Sequence, residues 1–169
     1  MQKNKIFILI ICIATSLMSC SEYQKVLNKG SVANQYKMAT EMYENQKFNK
    51  AIQLFEKITP AYGGKPQMER IQYMVAQSHY NTKQHSLAAY YFDKFVKNYP
   101  KSSKIEEAAF LSAHSYYLAS PIFSLDQKDT QEAINALQNF IYKYPSSARV
   151  VDANNYVKEL NYKLEKKSF

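Results

Sequence analysis

The strongest constraint on the fold is a pattern that recurs every 37 residues. A small residue, an aromatic residue, a second alanine and two large apolar residues return in that order: Ala39, Tyr43, Ala51, Phe55 and Ile58 in the first copy, and Ala76, Tyr80, Ala88, Phe92 and Phe95 in the second. A third copy begins in register at Ala113 and Tyr117 and resumes at Ala133 after eight extra residues. This period predicts a stacked array of helical hairpins.

Each unit divides into a helix A and a helix B joined by a short turn. The pattern predicts helices over 32–46 and 49–59, 66–81 and 86–98, and a third pair on either side of the insertion. Ser103 with Glu106, and Asp129 with Glu132, have the spacing of a capping box at the starts of the third pair. A last helix over 149–166 resembles a helix A without its partner, so we expect its apolar stripe to be exposed.

The alanines are expected at the crossings of the helices, where a larger side chain would push the two helices apart. In each helix B, an aromatic or aliphatic residue follows the alanine by four positions and lies on the same face. These residues predict the core of the array. Glycine occurs only three times in the chain, which favours helix throughout.

The N-terminus has the features of a bacterial export signal. Lys3 and Lys5 precede a short apolar run at 6–18, and residues 17–20 read Leu-Met-Ser-Cys, which resembles the lipobox of bacterial lipoproteins. We therefore predict a signal peptide over 1–19, acylation of Cys20, a lipidated linker over 20–30 and a repeat domain over 31–169. The alternatives are an ordinary secretory signal and a signal anchor with an incidental cysteine.

Export limits the possible chemistry and partners. Removal of the signal would leave Cys20 as the one cysteine, which excludes a disulfide or a thiolate metal site within one chain. The formal net charge is +8, but a nucleic-acid partner does not fit an exported protein. The lysines are scattered, which favours solvated helix faces over an anionic lipid surface.

The repeats resemble the tetratricopeptide family from Ser31 to Ser147, although their period is longer than the usual 34 residues and tryptophan is absent. This resemblance implies an all-α, right-handed superhelix of helical hairpins, an α-solenoid. Its units would be 31–64, 66–101, 103–147 and a half repeat over 148–169.

A narrower resemblance begins at the insertion in the third unit. An Asp-Gln-x-x-Thr element at 126–130 precedes helix B, and Tyr144-Pro145-x-Ser147 closes the unit. On a repeat array behind a lipobox, these elements are similar to the BamD family of the outer-membrane β-barrel assembly machinery. That family has about five repeats, so the chain is either a fragment or a shorter natural form.

The BamD resemblance implies a location and partners. It implies a protein anchored by acyl chains on the periplasmic face of the outer membrane. The implied partners are β-barrel precursors, recognised by their last strand, and the periplasmic domains of a BamA-like, barrel-forming insertase subunit.

Helix A lines the inside of a tetratricopeptide superhelix, so the repeat period predicts which residues share the concave face. The three predicted rows are Tyr36, Tyr73 and Phe110; Thr40, Gln77 and His114; and Tyr43, Tyr80 and Tyr117. Two rows are aromatic, which suits an extended apolar peptide. The alternative is that these rings pack between the helices A of neighbouring repeats.

No pattern in the sequence composes an active site. His79, His85 and His114 lack metal-ligand spacing, and no glycine-rich phosphate loop or nucleophile elbow occurs. Asp126 and Asp129 suit turn or capping roles. We therefore expect no enzyme, no cofactor and no metal. A nutrient-binding lipoprotein and a cell-envelope adaptor remain as alternative functions.

Overall fold

The computed structural model describes residues 22–120 and 127–167, and all regular structure in these ranges is helical. The helices are α1 (22–29), α2 (Val32–Glu44), α3 (Phe48–Ile58), α4 (Gln67–Asn81), α5 (His85–Asn98), α6 (Ile105–Ala119), α7 (Gln127–Lys143) and α8 (Val150–Lys167). A 3₁₀ turn, Thr59–Tyr62, follows α3. Helices α2, α4, α6 and α8 occupy the predicted A positions, and α3, α5 and α7 the predicted B positions. The all-α prediction is therefore confirmed.

The chain forms two compact units, Met1–Ala61 and Tyr62–Phe169. In the first unit, α2 and α3 pair as a hairpin, and Ala39, Ala51 and Phe55 are fully buried between them. The predicted linker over 20–30 differs from the structure, because residues 22–29 are helical and Tyr23 is buried.

The second unit contains two hairpins, α4 with α5 and α6 with α7, followed by α8. The repeat alanines and helix B aromatics are its core: Ala76, Ala88, Phe92, Phe95 and Ala108 form one cluster, and Phe110, Ala113, Ala133, Ile134, Leu137, Phe140, Ala153 and Leu160 form another. The residues that recur in the sequence are thus the ones that exclude water. Burial of such apolar surface is the main stabilising contribution.

The turns inside the first two hairpins share an unusual backbone. Gln46 and Lys83, which are 37 residues apart, have φ angles of 58° and 60°. Each donates its N–H to a tyrosine carbonyl at the end of helix A, Tyr43 or Tyr80. A non-glycine residue in this left-handed region is strained by its Cβ atom. The turn geometry therefore repeats although glycine is absent.

The two predicted capping boxes are wrong. α6 begins at Ile105 after Lys104, which makes no side-chain cap, and α7 begins at Gln127, two residues before Asp129. At the start of α6, the Ser102 hydroxyl accepts a hydrogen bond from the Lys104 N–H at 3.1 Å. The serine of the Tyr-Pro-x-Ser sequence, one residue before the predicted cap, thus closes the turn that precedes α6, and the helix has no side-chain cap.

The serine of each Tyr-Pro-x-Ser sequence also joins the two ends of a hairpin in the second unit. The Ser102 hydroxyl donates to Glu69 Oε1 at 2.6 Å, and the Ser147 hydroxyl donates to Glu106 Oε1 at 2.6 Å. Glu69 and Glu106 lie in the first turns of α4 and α6. The end of each helix B region is thereby tied to the start of its own helix A.

The apolar stripe of the last helix is covered rather than exposed. Ala153 and Leu160 are buried, and Val157 and Leu164 are half-buried against the same cluster. The expectation of an exposed stripe fails because α8 packs against α7 as α6 packs against α5. Among its outward residues, Val151 and Tyr162 are exposed.

Candidate functional site

Six of the nine residues predicted for the concave face lie on α4 and α6 of the second unit. The structure brings three of them, Tyr80, His114 and Tyr117, together with Tyr156 of α8. Gln77 lies three residues before Tyr80 on α4, and we call these five residues the A-helix face. All five side chains are half-buried. They combine ring surface with polar atoms, which is the composition of many peptide-binding sites.

His114 is the centre of the A-helix face. Its ring stacks on Tyr156 at a centroid distance of 4.8 Å and on Tyr117 at 5.7 Å. Its Nδ1 lies 2.7 Å from the Tyr80 hydroxyl. Burial lowers the pKa of His114, the neighbouring His85 lowers it further, and Asp152 opposes both. The ring therefore favours its neutral form.

Tyr117 is held at one edge of this stack. Its ring lies 4.4 Å from that of Tyr156, with Lys163 Nζ 5.4 Å from its centroid. Its hydroxyl donates to Glu159 Oε2 at 2.5 Å. The hydrogen bond to Glu159, followed by burial, raises the pKa of Tyr117 to about 12.

The row of Tyr73 and Phe110 packs into its own hairpins. Tyr73 meets Phe92 and Phe95 edge-on at centroid distances of 6.1 and 5.4 Å. Phe110 is 9% exposed and meets Phe140 edge-on at 5.4 Å. Phe110, which is nearly buried, also stacks on His114 of the A-helix face at a centroid distance of 5.8 Å.

A charged pair covers one side of Tyr73. Lys104 Nζ lies 5.5 Å from its centroid and 2.9 Å from Glu107 Oε2. Burial alone would raise the pKa of Glu107, but hydrogen bonds from Lys104 and Tyr73 outweigh it and lower that pKa. A substitution of Tyr73 would therefore disturb both a core contact and a charge pair.

Gln77 carries a buried acceptor without a partner. No described hydrogen bond reaches its Oε1, which is shielded from solvent. Thr40 has the equivalent sequence position on α2 of the first unit, and its Oγ1 is also buried and unpaired. An unpaired buried polar group costs about 1–3 kcal/mol, so both positions lower the stability of the fold.

The remaining predicted residues, Tyr36 and Tyr43, are half-buried on α2. Tyr43 meets Phe48 of α3 edge-on at a centroid distance of 5.8 Å. Cys20 and Asp126 lie outside the described residues. His85, expected in a turn, is the first residue of α5.

The sequence did not predict Tyr156 or Glu159, because the predicted rows include only residues of the first three repeats and these two lie on α8. If the eight-residue insertion is added to the period, the row of Gln77 and His114 continues to Glu159, and that of Tyr80 and Tyr117 continues to Tyr162. Tyr156 belongs to none of the predicted rows, because its counterparts in the two preceding repeats are Leu111 and Met74, so this arithmetic does not identify it.

A second polar feature lies in a groove of about 330 Å³ between α5, α6 and α7. Asp93 accepts hydrogen bonds there from the Ser112 hydroxyl at 2.5 Å and the Tyr116 hydroxyl at 2.7 Å. Burial and the bond to Asp93 raise the pKa of Tyr116. The carboxylate thus couples α5 to α6, and nothing in the repeat pattern identified it.

Within residues 22–120 and 127–167, no three His, Cys, Asp or Glu side chains are grouped so that they could hold a metal ion. His79 stacks on Tyr91 at 4.9 Å, whereas His114 belongs to the A-helix face. No helix in the same ranges has the length and hydropathy needed to cross a membrane.

Comparisons with known proteins agree with this architecture. The model of the YfiO family, described as an outer membrane lipoprotein, matches residues 28–169. Among curated proteins, none matches the chain. A crystal structure of a variant of a Podosopora anserina protein, described as a kinesin light chain with nearly identical TPR-like repeats, is similar with a TM-score of 0.54. It is 14% identical, and the match covers 99% of this chain and 87% of that one. This likeness confirms the solenoid fold alone.

Proposed function

The chain belongs to the YfiO family of outer membrane lipoproteins, and from this premise we propose that it is a non-enzymatic, lipid-anchored component of the outer-membrane protein assembly machinery. In this proposal Cys20 carries the acyl chains, and the helical repeats lie on the periplasmic side. The repeats bind β-barrel precursors, the barrel-forming insertase subunit, or both. The family match supports the resemblance of the sequence to the BamD family.

The A-helix face is the observation that carries client binding. It presents half-buried rings of Tyr80, His114, Tyr117 and Tyr156 around polar atoms, and these can pack against alternate apolar residues of an extended strand. A rotation of the Gln77 side chain would turn its unpaired Oε1, which is buried in the structure, toward a backbone N–H of that strand. A last strand with a terminal aromatic residue matches this chemistry.

Anchoring to the membrane would allow the protein to capture its clients even if it binds each of them weakly. A receptor confined to the membrane surface near the insertase meets its clients at a high effective concentration. The receptor can then release each precursor readily, which repeated transfer requires. A scaffold of this kind needs neither a cofactor nor a catalytic group.

The proposal is tested by placing a photo-crosslinking amino acid at Gln77 in living cells and identifying the attached proteins by mass spectrometry. Gln77 is preferred to Tyr73, because Tyr73 packs against Phe92 and Phe95. The matched control is the same amino acid at Tyr90, which is 57% exposed on α5.

We expect outer-membrane precursors to attach through their final strands at Gln77 and not at Tyr90. Attachment of the insertase subunit at either position would support docking. Exclusive attachment of wall or division proteins would contradict the proposal and favour a cell-envelope adaptor, and saturable glycan binding would favour nutrient capture.

A further inference from the structure

The residues that follow Cys20 are fixed to the first repeat. Tyr23, three positions after Cys20, is only 3% exposed. Its hydroxyl lies 3.1 Å from the Lys50 carbonyl oxygen and 2.9 Å from Gln53 Oε1. The second side chain of α1 is therefore held against α3.

The rest of α1 is held as firmly by α2 and α3. Gln35 Nε2 donates to the carbonyl oxygens of Val26 at 3.2 Å and Leu27 at 3.0 Å. Lys57 Nζ donates to the same Leu27 carbonyl. Because side chains of two helices bind its backbone, α1 moves with the first hairpin and does not act as a loose tether.

This attachment limits the distance between the fold and the membrane. A chain spans at most about 3.6 Å per residue, so Tyr23 lies within roughly 11 Å of Cys20. Acyl chains on Cys20 would hold that residue at the level of the lipid headgroups. Tyr23 would then lie at about one Debye length from the headgroup charges, and the later residues of α1 stay at that distance if the helix runs along the surface.

The side of the first unit near α1 carries lysines. Lys25 and Lys29 are exposed on α1, away from the face that carries Tyr23 and Leu27. Lys50 Nζ lies 4.9 Å from the centroid of Tyr23, and Lys57 contacts Leu27, so both belong to the packed side of α1. We call the exposed side of the helix, which carries Lys25 and Lys29, the α1 face. Glu22 is the one acidic residue of α1.

We propose that the α1 face, through Lys25 and Lys29, binds anionic phospholipid headgroups and fixes the orientation of the first repeat on the membrane. This inference rests on the acylation of Cys20 in the proposed function, and it is independent of the client. Each lysine near an anionic surface contributes about 1 kcal/mol, which changes the ratio of docked to undocked protein about fivefold. Lipid anchoring alone would leave the repeats free to tilt.

A single introduced tryptophan tests the orientation, because the chain contains no tryptophan. Asn28 is exposed on α1, and Asn28→Trp places the fluorophore on the α1 face. The full acylated protein is incorporated into phosphatidylcholine vesicles with or without phosphatidylglycerol, together with a lipid that carries a nitroxide on its headgroup. Mass spectrometry verifies the acyl chains, and flotation verifies attachment to the vesicles.

We expect the nitroxide to quench Trp fluorescence strongly only with phosphatidylglycerol present, and salt at about 1 M to reverse the quenching. Lys25→Gln with Lys29→Gln should lower the docked ratio more than tenfold. This pair participates in none of the contacts that hold α1, so the fold is retained, as circular dichroism can verify. The control pair, Lys97→Gln with Lys101→Gln, removes equal charge from exposed positions of the second unit and should leave the quenching unchanged.

An acylated, vesicle-bound protein without quenching would overturn the orientation while leaving the anchor intact. An equal loss with the control pair would show a general effect of net charge and would also overturn it. Absence of acyl chains on Cys20 would overturn both the anchor and this inference, whereas loss of the crosslinks at Gln77 would affect client binding alone.

Discussion

The Tyr80 hydroxyl and His114 Nδ1 are 2.7 Å apart, and their hydrogen bond joins α4 to α6 on the A-helix face. The tyrosine therefore packs between the helices A of neighbouring repeats and still belongs to the half-buried face. The sequence presents packing between helices and binding of a peptide as alternative roles for this tyrosine, but its position in the structure is compatible with both. A substitution that removes one polar atom but keeps the ring separates the two contributions.

Tyr80→Phe should lower the free energy of unfolding by about 0.5–1.5 kcal/mol, because it removes this hydrogen bond and leaves His114 Nδ1 without its partner. The edge-on contact with Phe92 is retained. Urea denaturation followed by circular dichroism measures the change. Tyr90→Phe, at an exposed ring, is the control and should not shift the midpoint. Equal midpoints for the two variants would contradict a structural role for the bond.

Acid should weaken the fold through His114. Burial, with a smaller contribution from His85, lowers the pKa of His114 from 6.5, so between the lowered value and 6.5 the unfolded chain binds more protons than the folded one. Stability is therefore fully present above about pH 6.5 and declines as the pH falls below it. In His114→Gln, the denaturant midpoint should depend less on pH across this range than it does in the wild type. A variant with the slope of the wild type would assign the acid sensitivity to other groups, such as His85, whose pKa is also lowered by burial and by Lys83.

The Tyr117–Glu159 bond should be visible in alkaline titrations. Glu159→Gln removes the leading cause of the pKa of about 12, so the Tyr117 pKa should fall toward 10. A folded-state pKa that is raised stabilises the protein below pH 10, and this contribution is lost as the pH rises from 10 to 12. Resonances of labelled tyrosine rings report the titration directly. An unchanged Tyr117 pKa in Glu159→Gln would show that burial alone is responsible.

The repeat pattern predicts the core because packing is periodic. Ala88 and Phe92 recur from Ala51 and Phe55, and all four side chains are inaccessible to solvent. The same period places His114 and Tyr80 on helices A, since each helix repeats the geometry of the one before it. Fold class and the main rows of the site follow from this regularity.

Polar partners do not follow from the period. Asp93 accepts hydrogen bonds from Ser112 and Tyr116. Its counterpart is Glu56 in the first repeat and Gln138 in the third repeat. The predicted cap of α6 at Ser103 does not form, and the Ser102 hydroxyl instead accepts the Lys104 N–H in the turn before the helix. Such choices depend on distances of a few ångströms between side chains of different helices, which spacing along the chain does not encode.

Ala88→Leu tests the packing that the period predicts. Ala88 is fully buried between α4 and α5, and a larger side chain there should cost about 1–3 kcal/mol of unfolding free energy through overpacking. Ser86→Leu adds a leucine to an exposed position of the same helix and should change stability little. An unchanged denaturant midpoint for Ala88→Leu would contradict the assignment of Ala88 to a close helix crossing.

Lys83→Gly should stabilise the second hairpin, whereas Lys83→Val should destabilise it. At a φ of 60°, a Cβ atom costs about 1–2 kcal/mol, and a β-branched residue is disfavoured further. Glycine removes this strain but gives the unfolded chain more freedom, which offsets about 0.5–1 kcal/mol and leaves a gain of up to about 1.5 kcal/mol. Thermal unfolding compares the variants, with Lys94→Gly in the interior of α5 as a control that should lose about 1 kcal/mol. If glycine destabilised both positions equally, the backbone at Lys83 would not be strained.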